Sequence, residues 1–394
     1  MGRNRSLAVN DLAGSLFMAG ILLHRQSLCK IITGTRCPVN YRYGCFVRNN
    51  LPKGKVLGYY TCRLPDGWQS FSGESELEIT DIRIIINPAA AKGRAEDALP
   101  RIVRLLKHHQ LSFDVVKTER PWHAAEAAEE AANLGYGIVA AAGGDGTCNE
   151  VANGIMNSRK QTASSFDTLQ TALAVLPIGR GNDFAYSAGI PRTLEGAVAL
   201  LAEGRTRPCD VGRVIGGDYP DGRYFINGLG IGFEPLVNLT ASQYPRLSGM
   251  LSYMAAVGKI MMNYPEAISV ILREDGQETR VRTQQISICN GRRMGGAFLL
   301  GPDALIDDGQ LDLCYVNRPV AGGTILYLVT RFFRGTQKSH SSISSGLIES
   351  MEIVTESGDE TLICHIDGEM VSTGTDMLQV HVYPRVLPVI SQPE

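Results

Sequence analysis

The feature that most restricts how this 394-residue chain can fold is the segment Gly143-Gly144-Asp145-Gly146-Thr147. It follows an apolar run from Gly137 to Ala142, which is typical of a buried strand, and residues 147–156 carry apolar side chains at helical spacing. The glycines therefore lie where a parallel strand turns into a helix. Backbone N–H groups and the positive end of the helix dipole point outward there, so a phosphate can approach closely.

Asp145 adds a second constraint, because a carboxylate repels a phosphate unless a divalent cation lies between them. The segment therefore predicts a metal–nucleotide site, with a tight structural turn as the alternative. It is not a Walker A motif, which requires a lysine, nor the G-x-G-x-x-G dinucleotide turn. The motifs in the rest of the chain are needed to choose between a nucleotide site and a structural turn.

Composition excludes several classes of protein. The formal net charge of −2 argues against nucleic-acid binding. No window approaches 18 uninterrupted apolar residues, so we expect no membrane-spanning helix. Five cysteines stand singly in apparent strands or site loops, which is typical of reduced thiols: Cys148, Cys209, Cys289, Cys314 and Cys364. We expect a cytoplasmic protein that is a monomer or a homodimer.

Three regions follow one another along the chain. Residues 1–80 show little periodicity and are expected to form a disordered or loosely attached extension. Residues 81–210 alternate short apolar strands with helices of 10–15 residues, which predicts a doubly wound parallel α/β domain. Pro121 is expected to begin one of its helices. Residues 211–394 carry short alternating runs that predict an antiparallel β domain.

Ligands of a doubly wound sheet bind beyond the carboxyl ends of its strands. Four loops are predicted at that edge: residues 87–93, 118–121, 143–147 and 177–184. In the last of them, Asn182 is placed to cap the following helix.

Two further loops carry acids. Residues 302–309 offer carboxylates beside backbone carbonyls, which suits a hard cation such as Mg²⁺, and an aspartate-rich β-turn is the alternative. Asp367-Gly368-Glu369 places two acids around a glycine at a strand end. Such a pair can act as general base or metal ligand, or can form an ordinary turn.

These motifs, taken in order from Asn87-Pro88 through residues 143–147 and Asn149-Glu150 to Asp367-Gly368-Glu369, resemble the diacylglycerol kinase catalytic domain, with sphingosine and ceramide kinases as relatives. The resemblance implies a nucleotide domain similar to those of NAD kinases and phosphofructokinases, a C-terminal β-sandwich that binds lipid, and an active site in the cleft between them. It implies transfer of the γ-phosphoryl group of ATP, with Mg²⁺, to the hydroxyl of a lipid. The expected acceptor is diacylglycerol, which would give phosphatidic acid.

The resemblance also implies roles for individual residues. Glu369 would be the proton acceptor, and Asp145 and Asp367 would share in catalysis. Asp308, with the backbone carbonyls of Leu305 and Gln310, would hold a structural Mg²⁺. The expected ATP-binding residues are Asn87, Pro88, Ala89, Ala90, Ala91, Thr118, Gly143, Gly144, Asp145, Gly146, Thr147, Cys148, Asn149, Glu150, Arg180, Asn182 and Asp183.

The chain departs from the family pattern at three places. Its first loop, residues 87–91, lacks the serine and glycine of the usual N-P-x-S-G. Arg180 replaces a threonine or serine. A guanidinium at this position can bind a phosphate directly, or it can occupy the nucleotide pocket and weaken binding. Glu234 stands where an aspartate is common.

Two other functions stay open at this point. NAD kinases and phosphofructokinases also carry a Gly-Gly-Asp-Gly loop, so a kinase of a soluble substrate is one alternative. A non-catalytic nucleotide-binding protein is the other, given the altered first loop. A lipid kinase must meet its substrate at a membrane surface, so peripheral contact with the inner face of a membrane is expected. Residues 327–338 mix aromatic and basic side chains that suit it, or form an ordinary helix with a basic edge.

Overall fold

A computed structural model describes residues 56–64, 67–75, 82–158, 170–244, 250–262 and 264–392. The chain divides into two units, residues 1–79 and 80–394. The described part of the first unit is an antiparallel hairpin of β1 (Val56–Leu64) and β2 (Gly67–Ser75). The expectation of a disordered extension over residues 1–80 otherwise falls outside the described residues.

The first half of the second unit contains four parallel strands. They are β3 (Ile82–Ile86), β4 (Phe113–Lys117), β5 (Ile138–Gly143) and β6 (Ala172–Pro177). Their spatial order is β4-β3-β5-β6. The strand order therefore reverses beside β3, and the carboxyl ends of β3 and β5 form the crevice in which ligands of such sheets bind.

Helices follow these strands and cover the sheet. They are α1 (Arg94–His108), α2 (His123–Leu134), α3 (Asp145–Ser158), α4 (Asp183–Ser187) and α5 (Leu194–Glu203). Helix α2 begins later than predicted. Trp122 occupies its N-cap position with a left-handed φ of 66°, so Pro121 lies before the cap rather than in the first turn.

The second half of the unit consists mainly of antiparallel strands. They are β7 (Thr206–Gly216), β8 (Tyr219–Phe225), β9 (Gly228–Gly232), β10 (Ile268–Glu274), β11 (Gln277–Thr283), β12 (Gln285–Cys289), β13 (Leu311–Val316), β14 (Ile343–Ile348), β15 (Ser350–Thr355), β16 (Leu362–Ile366), β17 (Glu369–Thr375) and β18 (Met377–Ile390). The helices here are α6 (Phe233–Ser242), α7 (Met250–Met262) and α8 (Gly323–Arg334).

Two layers of strands enclose the second core. The sheet β14-β13-β12-β9-β16-β17 faces strands β7, β8, β10, β15 and β18, and one buried cluster draws side chains from both layers. The predicted combination of a parallel α/β domain and a C-terminal β-sandwich is confirmed.

The two halves share one continuous sheet. Strand β18 pairs with β15 and β7 in antiparallel fashion, and its last residues reach the parallel sheet, where Val389 pairs with Leu173 of β6. The boundary expected at residue 210 falls inside β7. The chain therefore passes between the halves within a strand rather than through a linker.

Strands β11 and β12 follow one another directly but belong to different sheets. The chain turns at the buried residue Gln284, whose side-chain amide donates to the carbonyls of Pro265 and Val320. Strands β7, β9, β14 and β17 carry no sequence pattern that we recognised. β9 is glycine-rich (Gly-Leu-Gly-Ile-Gly), which hides its alternation.

The five cysteines of the second unit are free and buried, as predicted. Within the described residues, no helix is both long and apolar enough to cross a membrane.

Candidate active site

A cavity of about 550 Å³ opens at the carboxyl ends of the parallel strands. Its polar end is formed by the loops after β3, β5 and β6, and its other walls come from the β-sandwich half and from α6 and α8. Of the predicted site residues, those lining it are Asn87, Ala90, Ala91, Gly144, Asp145, Gly146, Thr147, Arg180, Asp183 and Asp367.

Two glycine-rich loops meet at the polar end. A Cβ atom on Gly179 would lie 2.4 Å from the Cα atom of Gly144, and one on Gly146 would lie 2.8 Å from Oε1 of Glu369. Neither position accepts a side chain without a shift of its neighbour. No side chain covers the backbone at these glycines. The first residues of α3 line the cavity, and their amides have no hydrogen-bond partner inside the helix. This arrangement suits the phosphates of a nucleotide.

Asp145 caps the neighbouring helix α4 instead of standing free. Its Oδ1 accepts hydrogen bonds from the amides of Asp183 (2.6 Å) and Phe184 (3.3 Å). Asn182, expected as the cap, takes the N-cap position with φ 52°, but its side-chain amide donates to the carbonyl of Gly179 at 3.0 Å. Asn182 therefore stands at the N-cap position as expected, but its side chain does not cap the helix. Asp145 therefore joins the two glycine-rich loops.

Asp183 carries a second buried carboxyl group, which lies close to that of Asp145. It accepts hydrogen bonds from Nε of Arg293 (2.8 Å) and from the amide of Gly296. Burial, followed by the negative charge of Asp145, raises the pKa of Asp183 to about 7. Burial also raises the pKa of Asp145, against the opposing effect of the amides that it caps. Two neighbouring carboxyl groups are hard to ionise at the same time unless a positive charge compensates them. Asp145 and Asp183 are therefore a candidate site for a divalent cation.

The loop after β3 is bent by three consecutive residues with positive φ, Ala91 (52°), Lys92 (64°) and Gly93 (89°). Asn87 closes the preceding turn, since its Oδ1 accepts a hydrogen bond from the amide of Ala89. Ala91 stands where the family pattern has glycine. The backbone keeps the left-handed conformation that glycine favours, and the alanine adopts it at a cost of about 1–2 kcal/mol.

Asp367 is a buried structural clamp. Its carboxylate accepts four hydrogen bonds, from the side-chain amide of Asn149 (2.8 Å) and from the backbone amides of Ile226, Asn227 and Gly228. Burial raises its pKa, and those donors oppose the rise. Asp367 therefore holds the turn in place through hydrogen bonds to both of its oxygens. Its share in catalysis stays a prediction.

Glu369 follows this turn and reaches the glycine loop from the β-sandwich half. Glu369 is not itself among the residues that line the cavity, but its Oε1 lies where a Cβ atom on the lining residue Gly146 would meet it, and its Oε2 forms an ion pair with Arg223. The Arg223 side chain is 2% exposed and lies between the rings of Trp122 (4.4 Å) and Tyr219 (5.1 Å). The half-exposed Glu369 carboxylate is thus anchored by a buried guanidinium. Arg223 was missed at the sequence level, where only its position before an aromatic pair marked it.

Three residues expected to contact ATP lie behind the cavity instead. Asn149 is fully buried and links Asp367 to Arg223. Glu150 accepts a hydrogen bond from the amide of Ala124 at the start of α2, and burial raises its pKa. Cys148 is buried, and burial raises the pKa of its thiol well above the usual value. Their contact with ATP stays a prediction.

The remaining residues predicted to bind the nucleotide lie at the edge of the cavity or outside its wall. The residues outside the cavity wall are Pro88, Ala89, Thr118, Gly143 and Asn182. Thr118 directly follows β4, and its amide donates to the carbonyl of Ile86 in β3. Arg180 is exposed on the wall, and so is Arg192, which the sequence did not single out. Two guanidinium groups at the polar end favour an anionic ligand.

The predicted structural metal site lies in a loop with its own internal support. Asp308 accepts a hydrogen bond from the amide of Gln310, and Asp307 pairs with Arg207. Asp210 accepts from the amide of Gly309 (2.7 Å). Within the described parts of the chain, no three or more His, Cys, Asp or Glu residues are grouped to hold a metal. Binding of Mg²⁺ by Asp308 and the carbonyls of Leu305 and Gln310 stays a prediction.

The far end of the cavity is apolar. We call it the apolar chamber, and its walls are Phe233, Val237, Tyr264, Met294, Phe298, Leu300, Val316, Ile325, Leu328, Val329 and Phe332. They come from α6, α8, β13 and the segments between them. One cavity therefore joins a polar end to an apolar end.

Two of the basic residues in the segment 327–338 have partners within the protein. Lys338 pairs with Asp303 (3.0 Å) and Asp312 (2.9 Å). Arg331 donates to Ser339 and stacks on Tyr327. This part of the chain is thus held together by its own charges.

Comparisons with known proteins agree with this geometry. Residues 81–214 match the diacylglycerol kinase catalytic domain, and residues 228–391 match the YegS C-terminal NAD kinase beta sandwich-like domain. The chain is 28% identical over 288 residues to a diacylglycerol kinase of Staphylococcus aureus (strain MRSA252), covering 73% of this chain and 85% of that protein. The diacylglycerol kinase of Staphylococcus haemolyticus (strain JCSC1435) is also 28% identical over 288 residues, with 73% and 81% covered.

A crystal structure of a diacylglycerol kinase from Bacillus anthracis str. Sterne shares the fold, with a TM-score of 0.60 and 22% identity. The match covers 80% of this chain and 97% of that one.

Proposed function

Because this chain belongs to the diacylglycerol kinase catalytic-domain family, we propose that it is an ATP-dependent lipid kinase. It transfers the γ-phosphoryl group of ATP to the hydroxyl of a diacylglycerol-type lipid, giving the corresponding phosphate monoester. For diacylglycerol the product is phosphatidic acid.

One observation carries this proposal. Oε1 of Glu369, from the β-sandwich half, lies against Gly146 of the glycine loop. A carboxylate that can accept a proton is thereby placed beside the amides that suit phosphates. The apolar chamber belongs to the cavity that Gly146 lines, which favours a lipid tail bound close to the nucleotide.

Phosphoryl transfer needs alignment and charge neutralisation more than covalent help. The bare backbone of Gly144 and Gly146 aligns the phosphates, and Arg180 and Arg192 offset their charge. Glu369 orients the acceptor hydroxyl and takes up its proton as the new bond to phosphorus forms. Arg223 fixes the carboxylate in that position.

The coupled acids fit Mg²⁺. Oδ2 of Asp145 and Oδ2 of Asp183 converge below Gly181, 2.7 and 3.2 Å from the point at which a Cβ atom on that glycine would lie. Mg²⁺ is usually bound by one or two carboxylates, with phosphates and water completing its shell. The ion would neutralise charge on the transferred group and allow both acids to ionise.

The lipid must be presented at a membrane surface, so we propose that the protein works in the cytoplasm and touches a membrane peripherally. Exposed Leu326 and Tyr327 on α8, next to the apolar chamber, are the side chains best placed for that contact.

The test is an acceptor panel with radiolabelled ATP and Mg²⁺. Diacylglycerol in mixed micelles is expected to become labelled, whereas NAD⁺ is not. Label on NAD⁺ and none on lipid would establish the soluble-substrate kinase instead. ATP binding without label on either would establish the non-catalytic alternative.

A further inference from the structure

A buried arginine of the β-sandwich half reaches the loop that carries Asp183. Arg293 lies between β12 and β13, and its side chain is 11% exposed. Its Nε donates a hydrogen bond of 2.8 Å to Oδ1 of Asp183. Its Nη2 donates to the carbonyls of Gly181 (2.9 Å) and Asn182 (3.3 Å). One guanidinium therefore holds both the backbone and the acidic side chain of the segment 181–183.

The loop that carries Arg293 makes a second contact with Asp183. Gly296 has a φ of 79°, and its amide donates to both carboxylate oxygens of Asp183, at 3.0 and 2.9 Å. A Cβ atom on Gly296 would lie 3.6 Å from the Cα atom of Gly181, so the two loops pack backbone against backbone. Arg293 contacts Asp183 through Oδ1, whereas Oδ2 is the oxygen that converges with Oδ2 of Asp145.

The position of Arg293 is itself fixed from the turn that precedes Glu369. Its backbone carbonyl accepts a hydrogen bond of 2.8 Å from the side-chain amide of Asn227, whose backbone amide donates to Asp367. At its other end, the guanidinium lies over the ring of Tyr186, 4.2 Å from the ring centre. Both ends of the residue are therefore held, and the guanidinium is preorganised toward Asp183.

These contacts give Arg293 a role at the proposed cation site. Carboxylates that bind a metal are themselves hydrogen-bonded, and the partners orient them and set the metal affinity. We infer that Arg293 is a positioning residue that holds Asp183 and the segment 181–183 in the geometry that binds Mg²⁺ together with ATP. This inference rests on the proposed function for the presence of the cation. It means that the β-sandwich half supports the cation site as well as supplying the proton acceptor.

Positioning differs from two simpler roles in what the loss of Arg293 would do. If Arg293 acted only through its charge, its loss would weaken the binding of the bare nucleotide and strengthen that of the cation. If it only held the fold together, its loss would weaken nucleotide binding with and without the cation alike. If it orients Asp183, nucleotide binding weakens only when Mg²⁺ is present.

The experiment is a calorimetric titration with a non-hydrolysable ATP analogue, once with Mg²⁺ and once with EDTA. With Mg²⁺, Arg293→Met should bind the analogue about 10–100-fold more weakly than the wild type, the usual loss for a partner of a metal ligand. With EDTA the two proteins should agree within about 3-fold. Arg282→Met is the matched control, because Arg282 is an exposed arginine of β11 that donates to the carbonyl of Ala267.

The same titrations contain the results that would overturn the inference. They are equal losses with Mg²⁺ and with EDTA, an affinity with Mg²⁺ that is unchanged or increased, or a wild type that binds the analogue equally well in both. Should Arg293→Met fail to fold, Arg293→Lys decides, since it keeps the charge but not the planar fork. It should bind about 3–10-fold more weakly with Mg²⁺ alone, and unchanged binding would overturn the inference.

These titrations need no lipid, so the inference and the proposed function can fail separately. If the Mg²⁺-dependent loss is found but the wild type labels no lipid, the positioning role of Arg293 stands and the kinase assignment falls. If lipid is labelled, Arg293→Met should raise the KM for Mg-ATP by the factor found in the titration and leave kcat within about 3-fold, since Glu369 is untouched. Labelled lipid with an unchanged KM would overturn the inference and leave the kinase assignment in place.

Discussion

Arg223→Met is expected to slow catalysis about 10²-fold without weakening ATP binding. Neither Arg223 nor Glu369 is among the residues that line the cavity, and Arg223 is the more deeply buried of the two. It acts through the ion pair with Glu369 and through a hydrogen bond of 3.0 Å to Asn149. Each charge-assisted hydrogen bond is worth about 1.5–3 kcal/mol, and a 1 Å misplacement of a reacting group can cost about 10²-fold. A methionine side chain fills most of the space that Arg223 occupies against Trp122 and Tyr219, but it has no hydrogen-bond donor.

The assay is steady-state phosphorylation of diacylglycerol, with kcat and the KM for ATP measured separately. Arg213→Met is the matched control, because Arg213 lies on the adjacent strand and bonds to Tyr383 and the carbonyl of Asp221 instead. Arg223→Lys should recover part of kcat, since it restores the charge but not the planar guanidinium that also bonds to Asn149 and Tyr219.

A double-mutant cycle separates positioning from general destabilisation. If Arg223 acts by holding Glu369, adding Arg223→Met to Glu369→Gln should change kcat by less than about 3-fold. A kcat for Arg223→Met within about 3-fold of the wild type would refute the reasoning. So would a full additional loss in the Glu369→Gln background.

Three other changes test the polar end of the cavity. Gly179→Ala should abolish ATP binding, measured by calorimetry, because its Cβ atom would press on Gly144. Ala91→Gly should raise the free energy of unfolding in urea by about 0.5–1 kcal/mol, since it relieves a left-handed alanine; a loss of stability would contradict this. The raised pKa of Asp183, about 7, means that the folded state binds a proton that the unfolded state releases near pH 4. Without divalent cations, stability in thermal unfolding should therefore fall as pH rises from about 4 to 7, and Mg²⁺ should reduce this fall by compensating the charges of Asp145 and Asp183.

The parallel half could be predicted because each element carries a local signal. Strand β3 is five consecutive buried residues, and α1 buries apolar side chains at helical spacing, among them Ile102 and Leu106. The glycine loop was recognised because glycines between an apolar strand and a helix have few other uses. The order of the motifs then placed Glu369 in the same site.

The contacts that give the site its chemistry could not be predicted, because they join residues far apart in sequence. Asp145 caps a helix that begins 38 residues later, and Asn149 meets Asp367 across 218 residues. Neither residue type reveals which role it takes, because an aspartate in a glycine loop can bind a cation or amides equally well. The same holds for Arg223, whose partners come from three separate elements.

The measurement that tests the central claim most directly is single-turnover transfer from radiolabelled ATP to diacylglycerol by the wild type and by Glu369→Gln. Glu349→Gln, in the turn between β14 and β15, is the control. We predict that Glu369→Gln lowers the transfer rate by about 10²–10⁴-fold while its affinity for ATP stays within about 3-fold of the wild type. Unchanged transfer by Glu369→Gln would show that the carboxylate facing Gly146 is not the proton acceptor, and the account would be wrong.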